Sequence, residues 1–257
     1  MTLPASCLSD HARSGLLLPS LKLRGEEHMA LDAYLLEKCW TRALNQPALR
    51  FYHWIRPSLS LGRNQREIPF SWIRLAKTGQ LELIRRPSGG GAVLHAGGLT
   101  YALVWPEAPR RRQEAYRQVN SWITKAFAEI GVCLNPGQSP VQASTVDCFA
   151  RSTPADLVDT QGTKRIGSAQ FWQHGHLLQH GEIALTPPAN LWRTVFGNEP
   201  PRWTPQSPDV SAVESALMSS FSKGLSILRW TDQLLSSEEL SLIQQRSEGY
   251  RLTVSEV

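Results

Sequence analysis

Two extended stretches, Lys164–Trp172 and His176–Leu185, constrain the fold more than any other feature of the sequence. Only a few residues separate them, so they predict a long β-hairpin turning near His174 and Gly175. A hairpin of that length needs a sheet around it. Extended runs at Leu49–Trp54, Leu81–Arg85 and Leu99–Trp105 supply neighbours. Helices to cover the sheet are visible in the periodicity. Met29, Ala33, Leu36, Trp40 and Ala43 recur at spacings of three and four between Glu26 and Leu44. Tyr116, Val119, Ile123, Ala126, Phe127 and Ile130 form a continuous stripe over Gln113–Ile130, stopped by Gly131. Strands and helices are mixed and many links are short. This predicts an α+β fold, a largely antiparallel sheet flanked by helices, rather than a βαβ repeat.

Beyond the hairpin, Asn190–Phe196 predicts a short helix, and four prolines between Gly197 and Pro208 mark a loop or linker. Ser211–Lys223 is amphipathic, and Ser236 with Glu239 makes a capping box ahead of a last helix. The expected organisation is an N-terminal extension over 1–28, a main domain over 29–208 and a short helical C-terminal appendage over 209–257.

Composition excludes several classes. The longest strictly apolar stretch, Tyr101–Trp105, is far short of the ~18 residues of a membrane span. The first 28 residues carry no signal-peptide pattern. The cysteines Cys7, Cys39, Cys133 and Cys148 lie far apart and form no C-x-x-C pair, which suits a reducing cytoplasm. A net charge of +5 points to an acidic partner, of which nucleic acid is one class. The run Arg110–Arg112 is the densest basic segment, either a solvated loop or a dock for that partner.

Chemistry concentrates in two motifs. The first is R-R-P-S-G-G-G-A-V-L-H, from Arg85 to His95. Three glycines let backbone N–H groups approach a ligand closely, and two arginines supply positive charge for a carboxylate or phosphate. It is neither a Walker loop nor a Rossmann fingerprint, since the required spacings are absent. The second is K-R-I-G-S-A-Q, from Lys164 to Gln170, with Gln179, His180 and Gly181 on the facing hairpin arm. On spacing alone Lys164 reads as a solvated edge charge, whose removal would leave thermal unfolding nearly unchanged. No G-x-S-x-G elbow occurs. His174, His176 and His180 have only Glu182 nearby as a further ligand, and no metal site is expected.

Taken in order, the two motifs together with L-Q-H-G-E-I-A-L at Leu178–Leu185 resemble the biotin and lipoate protein ligase superfamily, in its lipoate ligase and octanoyltransferase branch. M-A-L-D at Met29–Asp32, L-R-F-Y-H-W at Leu49–Trp54 and P-S-L-S-L-G-R at Pro57–Arg63 fit the same branch, so the resemblance spans about Met29 to Leu185. It implies that the main domain over 29–208 is the catalytic domain of that superfamily, with the acyl chain in a tunnel and its carbonyl near the glycine loop. Carried over by position, it implies that Arg86, Gly89, Gly90, Gly91 and His95 line the acyl site, and that Gly167, Ser168, Ala169 and His180 complete its wall. Lys164 would match the lysine that contacts the reacting carbonyl, where an ammonium stabilises a developing oxyanion.

Within the branch, ligases activate a free acid with ATP and Mg, whereas octanoyltransferases take an acyl thioester from acyl carrier protein and need no cofactor. One octanoyltransferase class is implied to use a cysteine shortly before the K-x-x-G-S-A-Q strand, followed by Phe. Asp147-Cys148-Phe149 stands there, sixteen residues before Lys164. Transfer between thioesters is nearly level in energy, and a thiol nucleophile then needs a cationic neighbour such as Lys164 to ionise. The expectation is a cytoplasmic octanoyltransferase moving an octanoyl group to a lysine of a lipoyl domain or the glycine-cleavage H protein, with Cys148 as nucleophile and no nucleic-acid or membrane partner. The chain after Leu185 is short for the accessory domain of large ligases, although some ligases carry it on a separate chain. An ATP-dependent lipoate ligase is the runner-up. An amidotransferase between lipoylated proteins and a non-catalytic acyl- or nucleic-acid-binding module stay open.

Overall fold

The computed structural model describes residues 14–138, 148–150, 152–204, 206–224 and 229–253. In chain order the first elements are β1 (Ser14–Leu18), α1 (Gly25–Trp40), β2 (Ala48–Tyr52), β3 (Ser58–Leu61), α2 (Phe70–Lys77), β4 (Glu82–Arg85) and β5 (Val93–His95). Next come β6 (Gly98–Trp105), α3 (Arg112–Glu129), β7 (Asn135–Pro136), β8 (Leu157–Val158), β9 (Lys164–Gln173) and β10 (His176–Ala184). The chain continues through α4 (Ala189–Phe196), α5 (Val210–Gly224), β11 (Arg229–Asp232) and α6 (Ser237–Ser247).

The predicted hairpin is β9–β10, paired antiparallel from His176 opposite Gln173 to Ile183 opposite Ile166. His174 and Gly175 both have positive φ, 50° and 84°, which a two-residue turn matching the strand twist requires. The hairpin sits inside an eight-stranded sheet ordered β11-β1-β2-β6-β10-β9-β8-β7. It is antiparallel from β2 to β7, and the two pairs at the other edge, β11–β1 and β1–β2, are parallel.

Both faces of the central strands are covered. In β6, Leu99, Tyr101 and Leu103 pack with Trp122, Ile123 and Phe127 of α3 and with Leu217 and Phe221 of α5. The alternate residues Ala102 and Val104 pack with Met29, Leu31 and Leu36 of α1 and Ile243 of α6. The period of two therefore sends one strand's apolar residues into two cores, which is why the run reads as apolar throughout. A smaller sheet, ordered β4-β3-β5, pairs β3 parallel to β4 and antiparallel to β5, and carries the glycine loop between β4 and β5.

At the end of the expected N-terminal extension stands strand β1, held between β11 and β2, and α1 starts at Gly25. The expected helical appendage contains a strand, β11, and is built into the body. Its α5 covers α3, with Trp122 Nε1 donating to Leu217 O at 2.9 Å, and its α6 docks on α1. The apolar stripe of α3 is wider than the sheet can cover, so α5 packs there to bury the remainder. The capping box of α6 forms as read: Ser236 Oγ accepts from Glu239 N, and Glu239 accepts from Ser236 N. Helix α2 and strand β3 carry no pattern legible in the sequence. Among the described residues no helix is long and apolar enough to cross a membrane. Residues 145–147, just ahead of Cys148, lie outside the described residues.

Candidate active site

The glycine loop is curled around its own arginine. Arg86, buried beyond the end of β4, donates to the carbonyls of Ser60, Gly89 and Gly91, each at 2.7 Å. Burial holds this guanidinium below its ordinary pKa. Arg63 N donates to Ser88 O at 2.8 Å and pins the loop to the end of β3. Two glycines are required here. Gly90 has φ of 98°, and a Cβ on Gly62 would stand 2.0 Å from the Gly90 carbonyl oxygen.

Cys148 opens a single 3-10 turn, Cys148–Ala150, and its N–H donates to Ala92 O at 3.0 Å just past the glycines. Lys164, the first residue of β9, reaches this turn. Its Nζ donates to Cys148 O at 2.7 Å and lies 3.4 Å from Cys148 Sγ. The same Nζ is 3.0 Å from Asp156 Oδ1, with both side chains buried, at 3% and 6% exposure. Lys164 is therefore not the solvated edge charge its position at a strand start suggests. A bulge accounts for the difference. Opposite β9, Leu157 pairs with Ile166 but Val158 pairs with Lys164, so Arg165 is the extra residue. Bulges re-aim side chains in this way. Arg165 is held by Asp159, which also accepts from the backbone N–H groups of Gln161 and Thr163.

Two cavities meet at Cys148. The inner one includes Arg86, Gly89, Gly90, His95, Gly167 and His180 in its lining. The outer one includes Gly91, Lys164, Asp156 and Tyr116. Cys148, Gly89, Gly90, Ser168 and Ala169 border both. The eleven residues singled out in the sequence are thus brought together around one paired cavity. A Cβ on Gly167 would stand 3.1 Å from Lys164 Cε, so the absence of a side chain there leaves room for the lysine stem.

Behind the inner cavity lies a polar layer that the sequence did not disclose. His180 Nδ1 is 3.0 Å from Asp32 Oδ2 and its Nε2 is 2.5 Å from Ser88 Oγ, joining α1, β10 and the glycine loop. Arg50 donates to Asp32 and to His28 O, and stands 3.1 Å from His28 Nδ1. Burial alone would raise the Asp32 pKa, but Arg50 and His180 outweigh it and hold it below the usual carboxylate value. Burial, then the Arg50 charge, pushes His28 down to about 2. His95 is stacked on Trp54 at 3.9 Å, with Nδ1 2.8 Å from Glu182 Oε2 and Nε2 2.8 Å from Ser60 Oγ, and burial pushes it down despite Glu182. One signal of this layer was available. Asp32 lies three residues after Met29 and four before Leu36, a charge on the apolar face of α1.

The other two histidines stand apart from His180: His174 is in the hairpin turn beside Trp40, and His176 Nδ1 accepts from Glu107 N. No group of three metal-ligating side chains occurs among the described residues.

Comparison with known proteins places this geometry in a family. Residues 24–222 match the family described as lipoyl protein ligase A/B catalytic domain. The octanoyltransferase LipM of Carboxydothermus hydrogenoformans is 36% identical over 63% of this chain, and the match spans 61% of that relative's length. The LipM of Halalkalibacterium halodurans is 30% identical over 87% of this chain and 91% of its own. Among solved structures, the bi-partite lipoate protein ligase of Thermoplasma acidophilum superposes with a TM-score of 0.70 at 21% identity, covering 91% of this chain and 92% of that one. On the breadth of the family match, and on the relative aligned over nearly its whole length, the chain belongs to the lipoyl protein ligase A/B catalytic domain family.

Proposed function

We propose that the chain is an octanoyltransferase of protein lipoylation, moving an octanoyl group from acyl carrier protein through Cys148 to a lysine of a lipoyl domain or the glycine-cleavage H protein. The observation that carries this reading is the Cys148–Lys164 pair, 3.4 Å apart at the junction of the two cavities. The LipM relatives support it, being named for this activity. The inner cavity takes the acyl chain. The outer one admits first the carrier's thiol arm and then the acceptor lysine.

In the first half-reaction the Cys148 thiolate attacks the thioester carbonyl, and the Lys164 ammonium faces the charge that develops. The C–S bond to the carrier breaks, and the carrier thiolate leaves and takes up a proton. In the second, the neutral acceptor amine attacks the Cys148 thioester. An amide forms, the amine proton is given up, and Cys148 is released as a thiol. The first transfer keeps the thioester's energy in the Cys148 thioester and the second uses it in forming the amide, so no nucleotide enters the balance.

The lipoate ligase reading would place ATP and Mg in the outer cavity. The only carboxylate lining that cavity among the described residues is Asp156, already committed to Lys164, Thr153 and Ser168. With its oxygens already taken up by these donors, Asp156 favours the transferase reading over a cation site.

The deciding experiment incubates the pure protein with octanoyl-acyl carrier protein and apo lipoyl domain, with and without ATP. Equal octanoylation in both is expected. Transfer that requires ATP and free octanoate, and survives Cys148→Ala, overturns the reading in favour of the ligase. Octanoyl-H protein as donor, in place of the carrier thioester, tests the amidotransferase alternative.

A further inference from the structure

Asp156 was singled out by neither the motifs nor the spacing, yet it is the most heavily bonded carboxylate of the outer cavity. Oδ1 contacts Lys164 Nζ at 3.0 Å and accepts from Ser168 N at 3.3 Å. Oδ2 accepts from Thr153 N at 2.8 Å and from Thr153 Oγ1 at 3.0 Å. Four donors converge on one buried group, an arrangement that fits only the ionised carboxylate, which accepts at every lone pair.

Seen from Lys164, an ammonium has three N–H donors, and among the described residues Cys148 O, Asp156 Oδ1 and, at the longest distance, Cys148 Sγ lie within their reach. The two shorter contacts hold the ammonium beside the thiol. A lysine buried this deeply without a counter-charge is driven toward its neutral form. A neutral amine offers nothing to a thiolate or an oxyanion.

Register reinforces the placement. Asp156 immediately precedes β8, and β8 meets β9 through the bulge that sets the direction of Lys164. The Thr153–Asp156 turn, closed by Asp156 N to Thr153 O at 2.9 Å, fixes the carboxylate before the strand begins.

We infer that Asp156 is the positioning residue of this site: it supplies the counter-charge that keeps Lys164 an ammonium and aims it at Cys148. Asp156 does not touch the reacting atoms and acts only through Lys164. The inference rests on the Cys148 reading above and adds a third member to it.

Other ionisable groups also face the pair. Arg86 of the glycine loop lines the inner cavity that Cys148 borders. Tyr116 of α3 and Tyr101 of β6 are pushed up by burial and further by the Asp156 carboxylate, Tyr101 to about 12. His95 of β5 and His180 of β10 line the inner cavity that Cys148 borders. Any test must separate Asp156 from these.

The test is the pH profile of Cys148 alkylation by iodoacetamide in the full chain, read by peptide mass so that Cys133, which is exposed, does not contribute. In Asp156→Asn the midpoint moves up by about one pH unit, or about tenfold slower alkylation below both midpoints. Asp156→Glu keeps the charge and holds the midpoint nearer the parent's. Lys164→Met has its own raised midpoint, and adding Asp156→Asn to it produces no further rise, because the route through lysine is already cut and loss of the carboxylate charge only favours a neighbouring thiolate.

An unmoved midpoint in Asp156→Asn overturns the inference. So does a rise that persists in the Lys164→Met background, or one equally large in Asp156→Glu. Alkylation needs no acyl donor, so failure here is distinct from failure of the octanoyl reading, which shows instead as transfer surviving Cys148→Ala.

Discussion

Two of the buried cation–carboxylate pairs among the described residues are used differently. Arg50 and Asp32 are 2% and 0% exposed, and neither lines the inner or the outer cavity. Their remaining bonds go to His28, His180 and Tyr52, so the pair is consumed in tying α1 to β2 and β10. Lys164 and Asp156 are almost as buried, yet both line the outer cavity beside a thiol. Burial therefore does not separate structural from reactive charge here. What separates them is whether the pair retains a direction facing open space. The inner layer backs the wall of the inner cavity, whereas the outer pair faces the place where charge would change in the proposed transfer.

The sharpest break between the two is expected at the thiol. Cys148→Ala should abolish both the octanoyl adduct, one mass increment on mixing with the thioester donor, and transfer. Cys39→Ala should keep both, because Cys39 is buried in the α1 core and burial pushes its thiol up to about 12. An adduct on Cys39, or full transfer by Cys148→Ala, would return Cys148 to the role of a small apolar filler.

Next in size is Lys164. Lys164→Met should cut turnover by about 10²–10³, the range for losing one preorganised donor to an oxyanion. Unlike an edge charge, it should also destabilise, since Asp156 is left buried without its partner, a loss of about 3–5 kcal/mol. Urea unfolding beside single-turnover acylation measures both, and a variant as stable as the parent would contradict the buried pair.

The inner pair should show the opposite balance. Arg50→Met should lower stability by about 3–5 kcal/mol through the orphaned Asp32, while the fraction that remains folded acylates Cys148 at near the parent rate. A variant that is stable but inactive would move this pair into the reacting machinery.

Acid should find the inner layer too. His28 and His95 titrate lower in the folded chain than in the unfolded one. Below about pH 6.5 the unfolded chain binds protons that the folded chain refuses, so stability falls as pH falls. The slope is at most about 1.4 kcal/mol per pH unit for each histidine. His28→Gln should flatten part of that slope in urea unfolding measured between pH 7 and pH 5.5; an unchanged slope would show that His28 is not its source.

Much of the scaffold was legible because its signals are local. The β9–β10 hairpin follows from two extended runs and a turn, α3 from one apolar stripe, and α6 from a capping box. The glycine loop and Lys164 were found through motif order, but what they do to each other was not visible. That depends on Arg86 spending its donors on the loop carbonyls, on a bulge opposite β8, and on Asp156, whose importance arises only when β8 meets β9. Strand β1 and the parallel edge of the sheet escaped for a related reason. Four residues pair there with partners more than 200 positions away in β11, and no window of sequence contains that contact.

The smallest effect concerns the surface over the outer cavity. Arg110, Arg111 and Arg112 are exposed, and they stand at the start of α3, with Arg112 one turn before Tyr116 of the outer cavity's lining. Arg117, which the sequence grouped with them, is engaged by Glu114 through Nε at 3.0 Å and Nη2 at 2.7 Å, so its charge is offset. Cations at a helix N-terminus oppose the helix dipole, an arrangement that folding alone does not favour. An acidic donor protein docking over the cavity mouth would offset that cost. Replacing the three arginines with Gln should raise the Michaelis constant for octanoyl-acyl carrier protein several-fold at low salt and flatten its salt dependence, since such steering is screened over about 8 Å at physiological ionic strength. Turnover at saturation and the use of a small octanoyl thioester should not change, and stability should rise by about 0.3–1 kcal/mol as the dipole conflict is relieved. Equal loss with the small thioester would place the arginines in the shaping of the outer cavity, and no loss with either donor would leave them a solvated helix start.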